Sequence, residues 1–300
     1  MTTSDTTARS TPTPDEGARM PLSEHLRELR SRLVKSMLAV AVGAVIAWVY
    51  YDPLFALIQH PLDPVIAAGK AQGRVISLNF ADITSPFMTR VKVSLMAGMI
   101  VAAPVWIYQL WRFVTPGLQR NERRWTIVFV AVTVPLFFLG VSLGYYVLPK
   151  GLQLLLLNFA PKDTNNLLTV DKYLSFFIRT IIVFGVSFLV PVFIVALNFI
   201  GILSASVLQR SWRWIVFGTF VFAAVATPSQ DPASMMALAM PMLVLIGLAL
   251  LVCWLNDRRR ARRASEGMFA DLDDDTASPL EMPEAIEASP PDDEPLTDDR

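Results

Sequence analysis

The stretch Leu118-Gln119-Arg120-Asn121-Glu122-Arg123-Arg124-Trp125 (LQRNERRW, residues 118–125) lies between two long apolar segments. Before it, Val93–Phe113 carries a single charge, at Arg112; after it, Trp125–Leu148 carries none. Short loops rich in Lys and Arg are held on the cytoplasmic side of a membrane, so three arginines in this link orient the two flanking segments as spans. Glu122 is not needed for that orientation, and its purpose is open at this level.

Working outward, the same pattern repeats along the chain. Of 300 residues 53% are hydrophobic and 17% charged, with a mean hydropathy of +0.46. Soluble domains carry about a quarter charged residues. The apolar residues also fall in blocks, as expected for membrane-spanning helices. The predicted fold class is therefore an all-α polytopic membrane protein. Six spans are expected, at Leu33–Tyr50, Val93–Phe113, Trp125–Leu148, Leu174–Ile200, Trp214–Ala226 and Ala233–Leu255. Arginines cluster before the first span, in 119–124, in 204–213 and in 258–263, and are sparser in the other links. With six spans, both termini fall on the cytoplasmic side and the positive-inside rule holds throughout.

The fifth span covers only about 20 Å at 1.5 Å per residue, less than a hydrocarbon core of about 30 Å. The link that follows, ATPSQDPAS, contains two prolines and Asp231, so short fifth and sixth spans are expected. Pro104, Pro135, Pro191 and Pro241 fall inside spans. Each removes a helix hydrogen bond and favours a kink, which suits a curved wall of helices better than a straight bundle.

The formal net charge of +0 conceals a segregation. The membrane body is basic, and acidic residues accumulate in DLDDD and PPDDEPLTDD near the C-terminus. Three regions follow: a disordered leader at 1–21, a six-span domain at 22–257, and a basic cluster with an acidic disordered tail at 258–300. Cys253 is the only cysteine, so no disulfide forms within one chain. His25 and His60 lie outside the spans and lack metal-ligand spacing, and no HExxH, GxSxG or Walker sequence occurs. Neither an enzyme nor a metal site is expected.

Polar chemistry gathers instead at the ends of the spans. In SEHLRELRSRL and the Leu22 before it, the residues Leu22, Leu26, Leu29 and Leu33 recur at helical spacing, giving an amphipathic helix that leads into the first span. Glu28 and Arg32 are four apart and can pair along that helix. Glu122 can likewise neutralise Arg120 or Arg123. Within the spans Arg179 is the clearest charge, about two turns into the fourth; it either snorkels to the interface or takes a buried role.

Several segments resemble the TatC family, the multispanning core subunit of the twin-arginine protein translocase. They are HLRELRSRL, SPF at Ser85–Phe87, YQLWRFVTPGL at Tyr108–Leu118, NERR at Asn121–Arg124, FGVSFLVP at Phe184–Pro191, the ATP/DP hairpin at Ala226–Pro232, and LAMPM at Leu238–Met242. Together they cover Leu22 to Asp257 in matching order.

The resemblance implies a receptor for signal peptides carrying paired arginines, acting at the cytoplasmic face of a bacterial plasma membrane. By motif match Glu28 and Glu122 are the carboxylates for the guanidinium pair, which a planar fork of acceptors suits. Arg30, Arg123 and Arg124 match basic positions of the same segments, and Phe113 and Pro116 an FxxP turn. Pro61 and Asp231 match structural or partner-contact positions. Partners implied are TatA- and TatB-type single-span proteins, the signal peptides of folded precursors, the lipid bilayer and further copies of the chain. The implied energy source is the proton-motive force, with no cofactor and no nucleic acid. The chain departs from the family pattern at Leu189, where many members have glutamate, and around Gly247, where an acidic residue is frequent. A small-solute secondary transporter is the alternative; it predicts paired ionisable residues at mid-membrane, which the spans lack.

Overall fold

The computed structural model of the chain describes residues 22–114, 122–159, 166–227 and 231–270, with backbone alone at 22–25, 122–124, 166 and 264–270. The chain divides into two units between Asp257 and Arg258.

All six apolar segments form helices. The first is α1 (Leu22–Val49), in which the amphipathic stretch and the first span are one continuous helix. Three shorter elements follow: α2 (Tyr51–Gln59), a 3-10 turn (His60–Leu62) and α3 (Asp63–Ala71). The second segment is split into α4 (Ser85–Val101) and α5 (Ala103–Val114), bent by 56°. Pro104 sits in the first turn of α5, where the missing amide costs nothing to α5 but ends α4. The third segment is α6 (Glu122–Gln153), which carries Pro135 and Pro149 without breaking and ends in a π-turn (Leu154–Asn158).

The fourth segment is also split, into α7 (Val170–Ser187) and α8 (Val190–Ile200), with Pro191 in the first turn of the second part. A short α9 (Ala205–Arg210) precedes α10 (Trp212–Ala226). Last comes α11 (Pro232–Ala270), with Pro241 inside it.

Three of these helices, α1, α6 with its π-turn and α11, are long and apolar enough to cross a membrane; the run of α7 and α8 makes a fourth span and the bent α4–α5 pair a fifth. The fifth apolar segment, α10, has 15 residues, about 22 Å at 1.5 Å per residue, so its shortness is as expected. The last segment is longer than expected. The apolar stretch runs on through LNDRRRARRASEG as one 39-residue helix, because that sequence has no proline and is rich in Arg and Ala, both strong helix formers.

Glycines let the helices cross at backbone distance. A Cβ on Gly98 of α4 would lie 2.4 Å from the Ala44 nitrogen of α1, and one on Gly140 of α6 would lie 2.6 Å from the Phe184 carbonyl of α7. Such crossings gain dispersion contacts where lipid offers no hydrophobic drive.

The links at the far end of α1 build a cap that helix periodicity did not foretell. Strand β1 (Ile76–Asn79) pairs in parallel with β2 (Asn166–Thr169), Ile76 opposite Asn166 and Asn79 opposite Thr169. Gly73, with φ of 74°, turns the chain into β1. Arg74 is buried and donates from Nη1 to the carbonyls of Leu156 and Leu157, 3.1 and 3.2 Å away, in the π-turn. Beneath the cap Ile58, Leu62, Val65, Leu148, Leu174 and Phe177 form a buried cluster. Pro61 is buried in the 3-10 turn of the same cap.

Candidate functional site at the uncapped end

Helix polarity gathers the ends of several elements opposite the cap. Trp111, wholly buried near the end of α5, stacks on Phe129 of α6 at 4.7 Å and on Phe193 of α8 at 5.0 Å. Its Nε1 donates to Thr133 Oγ1 at 2.9 Å, and that hydroxyl donates to the Phe129 carbonyl at 2.6 Å. Trp125 of α6 packs on Phe199 of α8, with centroids 4.7 Å apart. These stacks fix the C-terminal turn of α5 beside the N-terminal turn of α6. The half-buried Phe113 is therefore brought to the end at which α6 begins.

Glu122, Arg123 and Arg124 are the first three residues of α6; their side chains, like all of Pro116, lie outside the described residues. A carboxylate in a first helical turn is favoured by the helix dipole, whereas the two arginines beside it are not.

On α1, which packs along α4 and α5, Glu28 takes the partner expected from its spacing. Arg32 donates to Glu28 Oε1 from Nε at 3.1 Å and also from Nη2. Both contacts fall on one oxygen, and the Glu28 side chain keeps 30% exposure. Arg30 is exposed on the same helix.

A second polar assembly was missed by the sequence reading. Asp257 of α11 accepts from the Ala205 amide at 2.7 Å through Oδ2 and from Asn198 Nδ2 at 2.9 Å through Oδ1. Asn198 is fully buried at the end of α8; its amide also donates to the Leu203 carbonyl at 2.8 Å, and its Oδ1 accepts from Asn256 at 2.9 Å. One carboxylate within α11 thus ties the end of α8 to the start of α9. The only signal in the sequence is Ser204-Ala205 opening a helix without a side-chain cap of its own.

Elsewhere the remaining candidates separate. Asp231 is buried at the start of α11, where its Oδ1 accepts from the Ser234 amide at 2.8 Å, an N-cap role. Leu189 is buried at the α7–α8 break, packed with Ile107, Trp111 and Phe137. Gly247 has open space where a Cβ would stand, beside a groove of about 550 Å³ lined by Gln209, Trp212, Leu250, Leu251 and Trp254. Among the described residues no group of three or more His, Cys, Asp or Glu is placed to hold a metal.

Fold and site together define a multispanning helical membrane protein with a carboxylate- and arginine-bearing end. The family profile described as "Sec-independent protein translocase protein (TatC)" matches residues 24–241. Relatives of that description include one from Frankia casuarinae, 44% identical over 90% of this chain and 75% of its own length. Another, from Xylanimonas cellulosilytica, is 44% identical over 88% of this chain and 94% of its own. A crystal structure of the "Twin Arginine Translocase Receptor- TatC" superposes with a TM-score of 0.64 at 31% identity, covering 77% of this chain and 98% of that one. The chain belongs to the TatC family: it is a membrane-embedded component of the Sec-independent protein translocase.

Proposed function

We propose that the chain is the receptor subunit of the twin-arginine translocase, binding signal peptides with paired arginines at the uncapped end. Glu28 and Glu122 accept the two guanidinium groups. Arg30, Arg123 and Arg124 confine the site to ligands that bring two forked cations. Phe113 and Pro116 shape the turn between α5 and α6. The observation that carries this reading is the state of Glu28: Arg32 holds one of its oxygens, and the side chain stays partly exposed. A carboxylate so oriented can take a second guanidinium in planar geometry.

In this reading the uncapped end is cytoplasmic, along with both termini, in the plasma membrane of a bacterium. In this reading the leader, 1–21, and the segment 258–300, with its basic cluster and acidic tail, lie on that side. TatA- and TatB-type single-span proteins and further copies of the chain complete the assembly, Pro61 and Asp231 support partner contacts from the capped side, and the proton-motive force drives transport. No step of covalent catalysis is assigned to the chain.

Site-specific photocrosslinking in membrane vesicles tests the reading. A crosslinker at position 30 or 113 is expected to capture a peptide with an Arg-Arg pair and to miss the same peptide with Lys-Lys. Equal capture of both peptides contradicts it.

A further inference from the structure

Arg179 is the charge within the spans for which the receptor role has no use. It lies on the exposed face of α7, opposite the buried row Tyr173, Leu174, Phe177, Ile181 and Phe184. Among the described residues it makes no hydrogen bond, ion pair or ring contact, and the same is true of Lys172. Lys172, Arg179 and Val186 are spaced by sevens and share one exposed stripe, with Ser175 and Ile182 alongside. Towards the cap the stripe is polar (Lys172, Ser175, Arg179); beyond Arg179 it is apolar (Ile182, Val186).

The neighbouring helix marks the same level. The Thr180 carbonyl lies 3.5 Å from where a Cβ on Gly144 would stand, and the ring of Tyr145 packs on Phe177 at 6.2 Å. Arg179 is thus level with Tyr145 and Tyr146. Tyr146 is 67% exposed, with Lys150 Nζ 5.1 Å from its ring centre. Tyrosine and lysine in this arrangement belong at the boundary between headgroups and hydrocarbon.

We propose that Arg179 and Lys172 form a binding site for the phosphate of an anionic phospholipid in the leaflet on the capped side. The guanidinium of Arg179 offers a fork to the phosphate, Lys172 adds a second positive charge toward the water, and the acyl chains lie along Ile182 and Val186. An unpaired arginine at this depth is costly unless its head reaches polar groups, and the phosphate supplies them. A carboxylate on another membrane helix is the competing occupant. The change from polar to apolar along the stripe at the level of the tyrosines favours the lipid.

The full chain in detergent can be titrated with dioleoylphosphatidylglycerol or dioleoylphosphatidylcholine and the bound lipids counted by native mass spectrometry. Phosphatidylglycerol is expected to bind more tightly, and Arg179→Gln to weaken it about fivefold, as for loss of one basic residue near an anionic surface. The same variant should leave phosphatidylcholine unchanged, Arg179→Lys should restore much of the loss, and excess inorganic phosphate should compete poorly. Unchanged phosphatidylglycerol affinity in Arg179→Gln, or equal loss for both lipids, overturns the proposal. So does strong competition by inorganic phosphate, or a crosslink from position 179 to an acidic membrane helix that depends on the arginine while lipid binding does not.

Discussion

Glu28 and Arg32 are joined on one face of α1, and both donors of the arginine converge on a single carboxylate oxygen. The pair orients Glu28 while adding a positive charge that repels an incoming dicationic peptide. Removing that charge with Arg32→Gln is expected to tighten binding of an Arg-Arg peptide several-fold, about 0.5–1 kcal/mol for a pair of this exposure. Binding should also become more sensitive to salt, because the freed carboxylate attracts through solvent. Titration of fluorescent peptide at two ionic strengths measures both. Weaker binding in Arg32→Gln shows instead that the arginine belongs to the binding surface.

The carboxylate of Asp257 holds three segments at once, so its loss should loosen them together. Asp257→Ala leaves the Ala205 amide and the Asn198 side chain short of an acceptor, at a cost of about 2 kcal/mol. Cys253, one turn earlier on α11, is wholly buried against Ala205 and Leu208. The expected outcome is a lower midpoint of thermal unfolding in detergent and faster maleimide labelling of Cys253. Labelling at the wild-type rate shows that the packing of α9 on α11 does not depend on the carboxylate.

Backbone crossings predict an asymmetry among glycines. Gly98→Ala drives a methyl group into the backbone of Ala44 and is expected to destabilise by about 1–3 kcal/mol, the range for overpacking a tight contact. Gly218→Ala and Gly247→Ala meet open space and should be neutral or slightly stabilising through better helix propensity. Thermal unfolding of the three variants side by side decides it; equal effects contradict the crossing.

Much of this fold is readable from hydropathy, because every span is an apolar block between charged links. The breaks are readable only in part. Pro104 and Pro191 end helices, whereas Pro135 and Pro241 sit within continuous ones, and a proline alone does not say which applies. Glu28 with Arg32 follows from a spacing of four. Arg74 with Leu156 spans 82 positions, and the β1–β2 ladder links two loops separated by three helices; no local period encodes either. Asp257 shows the same limit, since its partners lie 52 and 59 residues away. The first turn of α6 is legible through its motif, NERR, more than through any physical rule.

Orientation can be read from an exposed position in the cap. Ile83 is fully exposed in the link before α4, whereas Asp231 is buried as a helix cap and ill suited to a label. Ile83→Cys in a Cys253→Ser background should react with a membrane-impermeant maleimide added outside intact cells. Reaction only after the inner face is opened would reverse the orientation proposed for both ends.

The receptor assignment rests on two carboxylates choosing arginine over lysine. Its most direct test is the affinity of the reconstituted chain for an Arg-Arg peptide and its Lys-Lys counterpart, in wild type, Glu28→Gln, Glu122→Gln and the double variant. Each single change should cost about tenfold for Arg-Arg, the scale of one charge-assisted hydrogen bond, and much less for Lys-Lys, so that discrimination vanishes in the double variant. Discrimination that persists without either glutamate contradicts the assignment.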